Sequence, residues 1–323
     1  MRFVSIASGS SGNCIYAGTE STHILVDAGI SAKRIEQGLF EVGLKAGEVN
    51  AICITHEHTD HVRGLGVLAR KYAIPIYGTK GTLQEIKKIK GLGEYPEELL
   101  HPVLPDVKFT VGDMDVLPFH IDHDAADPVA YRIQSGNKSI AVATDLGHYN
   151  QYTIDHLLDL DAVLLESNHD LRMLETGPYP YYLKRRIMGD FGHLSNENAG
   201  RLLNCILSGK MKHILLGHLS QENNMPELAY ETVRLEVDMG DTPYHALQLA
   251  ENTSAWKGFE VLAFIWPLPD GTGCLIFLPY KEAPMRILLI RHGRQNSPPV
   301  QCGRSLIGSG EGPGSPPGRA SEA

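Results

Sequence analysis

A histidine-rich segment constrains the fold of this chain more than any other feature of its sequence. The segment, Thr55-His56-Glu57-His58-Thr59-Asp60-His61, directly follows the apolar residues Ala51-Ile52-Cys53-Ile54. A strand that ends in a tight loop can aim His56 and His58 to one side, and a helix start can point Asp60 and His61 back at the same volume. Imidazoles and a carboxylate brought so close lose hydration and repel one another unless a cation offsets that cost. The pattern predicts a metal site at a strand end; a polar surface loop is the alternative.

Most of the chain alternates short apolar segments with helical patterns. The apolar segments are rich in Val, Ile and Tyr, as strands are, and cover residues 3–7, 14–17, 23–27, 51–55, 74–77, 116–121, 129–133, 139–144 and 213–216. Apolar residues at helical spacing cover residues 31–42, 65–72, 82–90 and 196–207. This order predicts an α/β fold of stacked sheets flanked by helices, and not a single all-parallel sheet.

Composition narrows the class of protein. The chain has 323 residues and carries 29 Lys and Arg against 38 Asp and Glu, a formal charge of -9. An anionic partner therefore has to be held by a local basic patch or by bound metal. No apolar run is long enough to span a membrane, the N-terminus lacks the order of a signal peptide, and the five cysteines include no CxxC pair. We expect a cytoplasmic protein without disulfides and without a membrane partner.

The H-x-H-x-D-H pattern resembles the signature of the metallo-β-lactamase superfamily, and the resemblance extends over about residues 1–255. It implies a four-layer αββα sandwich with a pair of metal ions at one edge. The implied ligands are three residues for each ion and one bridging aspartate: His56, His58 and His123; Asp60, His61 and His218; and Asp145. Alternatives remain at three positions. His120 competes with His123, Asp145 fits a turn or helix cap, and His218 fits a packed polar side chain.

The implied donor set decides which metals are suitable. Nitrogen and oxygen ligands without thiolate suit Zn²⁺, Mn²⁺ or Fe²⁺, and the sequence does not choose among them. Two ions about 3.5–4 Å apart lower the pKa of a water and neutralise charge on the attacked group. We therefore expect two divalent metal ions, zinc or manganese, as cofactors of a hydrolase.

Two further motifs resemble the RNase Z branch of the superfamily. Gly192-His193-Leu194-Ser195-Asn196-Glu197 precedes a predicted helix, and Leu164-Leu165-Glu166-Ser167-Asn168 ends an apolar strand. The resemblance implies that His193, held by Glu166, donates a proton to the leaving oxygen, while Asp60 orients the attacking water. The alternatives are a loop position beside a helix cap for His193 and a solvated strand end for Glu166.

The narrowest resemblance is to the YycJ/WalJ group of the superfamily. It is carried by Ala7-Ser8-Gly9-Ser10-Ser11-Gly12-Asn13-Cys14, Leu25-Val26-Asp27-Ala28-Gly29, His123-Asp124-Ala125-Ala126-Asp127-Pro128, Glu166-Ser167-Asn168-His169-Asp170 and Gly217-His218-Leu219-Ser220-Gln221-Glu222-Asn223-Asn224. It implies a cytoplasmic phosphodiesterase with 5′ to 3′ exonuclease activity on DNA. The rival function is hydrolysis of a lactone, thioester or β-lactam, because H-x-H-x-D-H alone does not identify the bond cleaved. The Ser/Gly segment at residues 8–12 is either a tight turn at the site or a plain hairpin.

Three basic clusters are candidate contacts for nucleic acid, and each fits a solvated helix face as well: Lys87, Lys88 and Lys90; Lys184, Arg185 and Arg186; Lys210 and Lys212. The second cluster follows Tyr179, Tyr181 and Tyr182. Aromatic rings beside basic side chains are typical of surfaces that stack bases and contact phosphates. The sequence therefore ranks residues 179–186 first among these candidates.

The resemblance ends near residue 255, and we expect residues 256–323 to form an extension outside the family. Residues 285–293 resemble the opening of a histidine-phosphatase domain, but the chain after His292 is too short to build that domain. We therefore expect no catalytic role for His292. Residues 303–323 contain six Gly and three Pro, and we expect them to be disordered.

Overall fold

A computed structural model describes residues 1–240, 260–261, 274–276 and 286–291 of the chain. The strands of these residues, numbered in chain order, are β1 Arg2–Ala7, β2 Cys14–Gly18, β3 His23–Val26, β4 Ala51–Cys53, β5 Ile76–Thr79, β6 Leu100–Val103, β7 Phe109–Val111, β8 Met114–His120, β9 Val129–Ser135, β10 Lys138–Ala143, β11 Ala162–Glu166, β12 His213–Gly217, β13 Glu260–Val261, β14 Cys274–Ile276 and β15 Arg286–Arg291. The α-helices are α1 Ala32–Glu41, α2 Thr59–Val62, α3 Leu65–Tyr72, α4 Lys80–Ile86, α5 Gln151–Leu157, α6 Leu171–Thr176, α7 Tyr181–Ile187, α8 Asn196–Ile206 and α9 Pro226–Asp238.

The strands form two sheets. The first sheet has the order β13-β1-β2-β3-β4-β5-β6, and the second has the order β14-β15-β12-β11-β10-β9-β8-β7. Strands β3, β4, β5 and β6 run parallel to one another, and so do β10, β11 and β12 in the second sheet, whereas β2 and β9 are antiparallel to β3 and β10. Because the carboxyl ends of parallel strands meet at one edge of a sheet, the loops that follow them are brought together.

Three apolar cores separate four layers. The two sheets pack face to face through side chains such as Ile24 of β3 and Val142 of β10. The outer face of the first sheet packs on α1, α3 and α4, where Leu39 is fully buried, and the outer face of the second packs on α5, α8 and α9 around Leu202. In β10, Ile140 and Val142 face the other sheet whereas Ala141 and Ala143 face the helices, which is the two-residue period of a strand buried on both faces. The predicted αββα sandwich is confirmed.

Parts of the C-terminal extension pair with both sheets. Strand β13 lies parallel to β1, and β15 lies parallel to β12 with β14 on its other side. The histidine-phosphatase resemblance falls partly on β15 and partly outside the residues that the structure describes, and the disorder expected from residue 303 lies entirely outside them. Both stay predictions.

Candidate metal centre

The histidine-rich segment occupies the end of β4 and the start of α2, as the sequence predicts. His56 and His58 lie in the loop, and α2 begins at Thr59, so that Asp60 and His61 lie in its first turn. His56 Nε2 is 3.1 Å from His58 Nδ1, which is 3.3 Å from His123 Nε2. One ligand atom from each of these three histidines lies within 4.8 Å of the others. His123 donates from Nδ1 to the carbonyl oxygen of Gly192 at 3.2 Å, which leaves Nε2 free to face the cluster.

A second cluster adjoins the first. Asp60, His61 and His218 also bring one ligand atom each within 4.8 Å of one another. Asp145 lies between the clusters, because its Oδ1 is 3.7 Å from His123 Nε2 and its Oδ2 is 3.2 Å from His61 Nε2. The structure thus brings together all seven residues that the sequence assigns as ligands.

His120 is outside both clusters. Its side chain is 55% exposed, and its Nδ1 lies 3.8 Å from Asp127 Oδ1, whereas the side chain of His123 is 2% exposed. The geometry therefore favours His123 over His120 as the histidine of this loop that faces a metal.

Buried polar atoms without hydrogen bonds test whether the residues fit a cation. Asp145 Oδ2 and His218 Nδ1 are 2.9 Å apart, yet neither atom makes a hydrogen bond of acceptable geometry within the described residues. Burying such atoms unpaired is costly, and a divalent ion would offset the cost for both. The nitrogen and oxygen donors suit a first-row divalent ion. The centre has the His/Asp clusters of a divalent metal site.

Charge in the centre is distributed unevenly. Burial lowers the pKa of His56 well below its ordinary value, and neighbouring His61 adds to the effect, so His56 is neutral and offers a lone pair. Burial also acts to lower the pKa of His61, but Asp145, Asp27 and Asp60 outweigh it and raise that pKa well above its ordinary value. Burial would raise the pKa of Asp145, but the charges of His218 and His61 hold it well below its usual range. Without a metal, a proton on His61 therefore offsets part of the negative charge of these carboxylates.

Three polar residues of the centre adopt left-handed backbone conformations. Asp27, Asp145 and His218 have φ angles of 65°, 59° and 53°, and each follows the carboxyl end of a strand. Residues other than glycine pay an energetic cost for this conformation, and such residues concentrate at functional sites. The turn at each strand end directs a polar side chain into the space between the sheets' edges.

Asp27 and Thr55 are functional candidates to which the sequence analysis assigned no role. Asp27 Oδ2 lies 2.8 Å from His61 Nδ1, and Asp27 Oδ1 accepts a hydrogen bond from the backbone N–H of Thr55 at 2.9 Å. Asp27 thereby holds the His61 ring with Nε2 toward the cluster. A carboxylate directly after an apolar strand was the available signal, but its partner lies 34 residues away.

The Ser/Gly segment lies at the site. Asn13 Nδ2 is 3.0 Å from His61 Nε2, the backbone N–H of Asn13 donates to Asp60 O at 2.7 Å, and Ser8 Oγ accepts from the backbone N–H of His218 at 2.9 Å. The segment joins the antiparallel strands β1 and β2 as a hairpin and also turns at the site, so the two alternatives do not exclude each other. Its contacts hold the second cluster, Asp60, His61 and His218, in position.

His193 and Glu166 form a hydrogen-bonded pair beside the clusters. His193 Nδ1 is 2.8 Å from Glu166 Oε1 and 3.8 Å from Asp145 Oδ1. Glu166 is fully buried at the end of β11, and its Oε2 accepts from the backbone N–H groups of Leu146 and Leu194 at 2.7 and 3.3 Å. Burial acts to lower the pKa of His193, but the charge of Glu166 outweighs it, and the pKa is raised. Glu166 is therefore not a solvated strand-end carboxylate.

Most of the candidate basic contacts are engaged in the fold. Lys87 donates to Glu97, Lys88 to Glu85, and Lys210 to the carbonyl oxygen of Asp159. Lys212 donates to the carbonyl oxygen of Gly209. Lys184 and Arg186 are engaged as well, so residues 179–186 differ from the other clusters in their exposed aromatic rings.

Comparison with known proteins agrees with this geometry. The Beta-lactamase superfamily domain matches residues 22–215, more than half of the chain. The chain belongs to the metallo-β-lactamase superfamily. It is 41% identical over 233 residues to "Exodeoxyribonuclease YycJ" of Bacillus anthracis, an alignment that covers 72% of this chain and 88% of that protein. It is also 41% identical over 236 residues to "Exodeoxyribonuclease WalJ" of Streptococcus pneumoniae serotype 2, covering 73% of this chain and 88% of that protein. The resemblance to the YycJ/WalJ group of the superfamily is thus confirmed.

A solved structure of the superfamily has the same fold. The metallo-β-lactamase fold protein YhfI from Bacillus subtilis aligns with a TM-score of 0.55 at 18% identity and covers 72% of this chain and 91% of that chain. At this identity the likeness supports the fold alone. Among the helices that the structure describes, none has the length and apolar character needed to cross a membrane.

Proposed function

We propose that this member of the metallo-β-lactamase superfamily is a two-metal phosphodiesterase that cleaves nucleic acid, and that it acts as a 5′ to 3′ DNA exonuclease in the cytoplasm. The observation that carries the proposal is the His193–Glu166 pair, 2.8 Å apart, at the rim of the metal centre. A hydrolase that expels a poor alkoxide leaving group needs a proton donor at this place. The YycJ and WalJ relatives are named exodeoxyribonucleases, which supports a nucleic acid substrate and, more narrowly, DNA.

Seven residues would hold two ions, zinc or manganese. In this proposal His56, His58 and His123 would hold one ion, Asp60, His61 and His218 would hold the other, and Asp145 would be shared between them. When bound, such a pair supplies a water of lowered pKa and neutralises charge on the attacked phosphoryl group. The two orphaned atoms of Asp145 and His218 support the assignment.

Asp60 orients the attacking water. Its side chain is 26% exposed, in contrast to the buried ligands around it, so a water from outside can reach its carboxylate. Burial acts to raise the pKa of Asp60, but the charge of His61 outweighs it, and the pKa is lowered. The carboxylate is therefore ionised and accepts a hydrogen bond from the water.

His193 donates a proton to the leaving oxygen. Glu166 engages its Nδ1, which leaves Nε2 as the nitrogen that can face a substrate. The His193 side chain is 20% exposed, whereas Glu166 is fully buried, so the pair presents the imidazole outward and keeps the carboxylate behind it. The raised pKa of His193 keeps the ring protonated at a pH where a free histidine has already lost its proton.

The first prediction tests the leaving-group role. His193→Ala should lower cleavage of an end-labelled oligodeoxynucleotide by about 10²–10⁴-fold, the range typical of a general acid. Cleavage of bis(p-nitrophenyl) phosphate should fall much less, because a phenolate leaves without a proton. Both rates are measured with Mn²⁺ and with Zn²⁺, alongside metal content. His120→Ala is the matched control, since His120 is exposed and outside the clusters, and it should keep the parental rates.

Other results would contradict the proposal in distinct ways. If His193→Ala lowered the cleavage rate of both substrates equally and retained its metal, His193 would not be the proton donor to the leaving group. The assignment of the metal ligands would be unaffected. A parent protein that cleaves a lactone, thioester or β-lactam but no oligonucleotide would replace the phosphodiesterase with the rival small-molecule hydrolase. If the parent protein degraded RNA in preference to DNA, RNA would replace DNA as the proposed substrate.

A further inference from the structure

Helix α7 presents aromatic side chains to solvent. It buries none of its side chains, and Tyr181 and Tyr182 are each 74% exposed. Phe191, in the loop that follows α7, is 60% exposed. Single exposed apolar residues are ordinary, but a group of large rings on one short segment marks a surface that binds something.

The basic residues of α7 have different environments. Lys184 Nζ donates to the carbonyl oxygens of Glu175 and Gly177, each at 2.7 Å, and so holds the end of α6. Arg186 pairs with Asp124. Arg185 is exposed, and no partner for its guanidinium is found among the described residues. Because residues four apart share a helix face, this free charge lies on the side of Tyr181.

α7 is fixed to the proposed catalytic site by its C-terminal end. The backbone N–H of His193 donates to Ile187 O at 2.9 Å, and Gly192 packs so closely that a Cβ there would lie 2.1 Å from the same oxygen. Asp124, the partner of Arg186, places its Oδ1 3.5 Å from His123 Nε2. The exposed rings therefore continue directly from the rim of the metal centre.

We propose that α7 is a stacking platform for the unpaired bases next to the scissile phosphate of single-stranded DNA. Tyr181, Tyr182 and Phe191 provide the rings, and Arg185 contacts a backbone phosphate. The inference rests on the proposed function, since it names where that substrate binds. Rings beside a free guanidinium match a strand in which flat bases alternate with negative charges. Tyr179, which the sequence placed in the same surface, is half-buried and is not included.

The second prediction tests the platform by removing its rings. The variant Tyr181→Ala/Tyr182→Ala is compared with Tyr181→Phe/Tyr182→Phe and with Phe40→Ala, a 72% exposed ring on α1. We measure kcat/KM on a 5′-phosphorylated single-stranded oligodeoxynucleotide and on bis(p-nitrophenyl) phosphate. The ratio of the two values should fall by about 10-fold or more in the alanine variant, because each stacked base contributes substantially to binding. It should stay parental in the phenylalanine variant, which keeps the rings, and in Phe40→Ala. The kcat/KM of the alanine variant should fall less on a blunt duplex, because the bases of a duplex are paired and cannot stack on the rings.

The outcomes separate this inference from the proposed function. An unchanged ratio in the alanine variant, or an equal fall in Phe40→Ala, would overturn the platform while leaving the exonuclease intact. If the parent cleaves no oligonucleotide, the proposed function fails. The stacking platform is then tested separately, by measuring the binding of the same labelled strand with fluorescence anisotropy. Absent binding, or equal binding by parent and alanine variant, would then overturn it.

Discussion

At the scale of single residues, two adjacent histidines of the centre differ in protonation. The ring centroids of His56 and His61 are 4.0 Å apart. Burial keeps His56 neutral, whereas Asp145, Asp27 and Asp60 surround His61 with negative charge and raise its pKa despite burial. Metal ligands have to be deprotonated, so a cation that binds here displaces the proton of His61. The carboxylates that would hold the ion thus also stabilise the metal-free centre.

The third prediction concerns the pH dependence of the His193–Glu166 pair. A proton donor loses activity as the pH rises through its pKa, and the charge of Glu166 raises the pKa of His193. Glu166→Gln removes that charge, so the basic limb of kcat/KM against pH should move to lower pH. The profile is measured on the end-labelled oligodeoxynucleotide at constant metal concentration. Glu175→Gln, an exposed glutamate on α6, should leave the limb in place. A limb that stays in place in Glu166→Gln, or moves to higher pH, would contradict the assignment of His193 as the donor.

At the scale of secondary structure elements, the sequence predicts those that bury a regular stripe. The observed bounds of α3, Leu65–Tyr72, are the predicted ones, because its apolar residues recur at helical spacing and are buried. Helix α7 buries no side chain, so no periodicity in the sequence reveals it. Helix α9 was missed although Ala229, Val233 and Val237 recur every four residues. A buried stripe of alanine and valine is a weaker sequence signal for a helix than a stripe of leucines, but the sequence of α9 does contain it.

The fourth prediction concerns the turn that joins β3 to α1. A Cβ on Gly29 would lie 1.6 Å from the carbonyl oxygen of Asp60 and 2.7 Å from the backbone nitrogen of Asn13. Gly29→Ala should therefore push the first turn of α2 away from the centre, lowering both the midpoint of thermal unfolding and the metal content. Gly91→Ala is the control, because a Cβ there meets nothing within 4 Å. Parental metal content and unfolding midpoint in Gly29→Ala would show that the close approach has no role in the site.

At the scale of the whole molecule, each sheet contributes part of the centre. The first sheet delivers Asp27 and His56 at the ends of β3 and β4, and the second delivers Asp145, Glu166 and His218 after β10 to β12. The resemblance to the superfamily implied the ligand set, and the structure brings those residues together because they lie in motifs next to apolar strands. The sequence did not predict the contact of Asp27 with His61, because that contact depends on the packing of separate elements at one sheet edge.

The fifth prediction follows from the charge of the chain. The net charge is -9, and Lys184 and Arg186 are engaged within the fold, so Arg185 is the basic side chain of α7 that the described residues leave available to replace a counterion on a bound strand. For single strands, log affinity falls with log salt at about -0.7 for each phosphate neutralised. With one or two phosphate contacts on α7, a plot of log kcat/KM against log NaCl concentration should have a slope of about -0.7 to -1.4 at a fixed concentration of divalent metal. Arg185→Gln should reduce its magnitude by about 0.7, and Lys33→Gln on α1 should not change it. A slope steeper than about -3 would instead require a broad basic surface that contacts several phosphates at once.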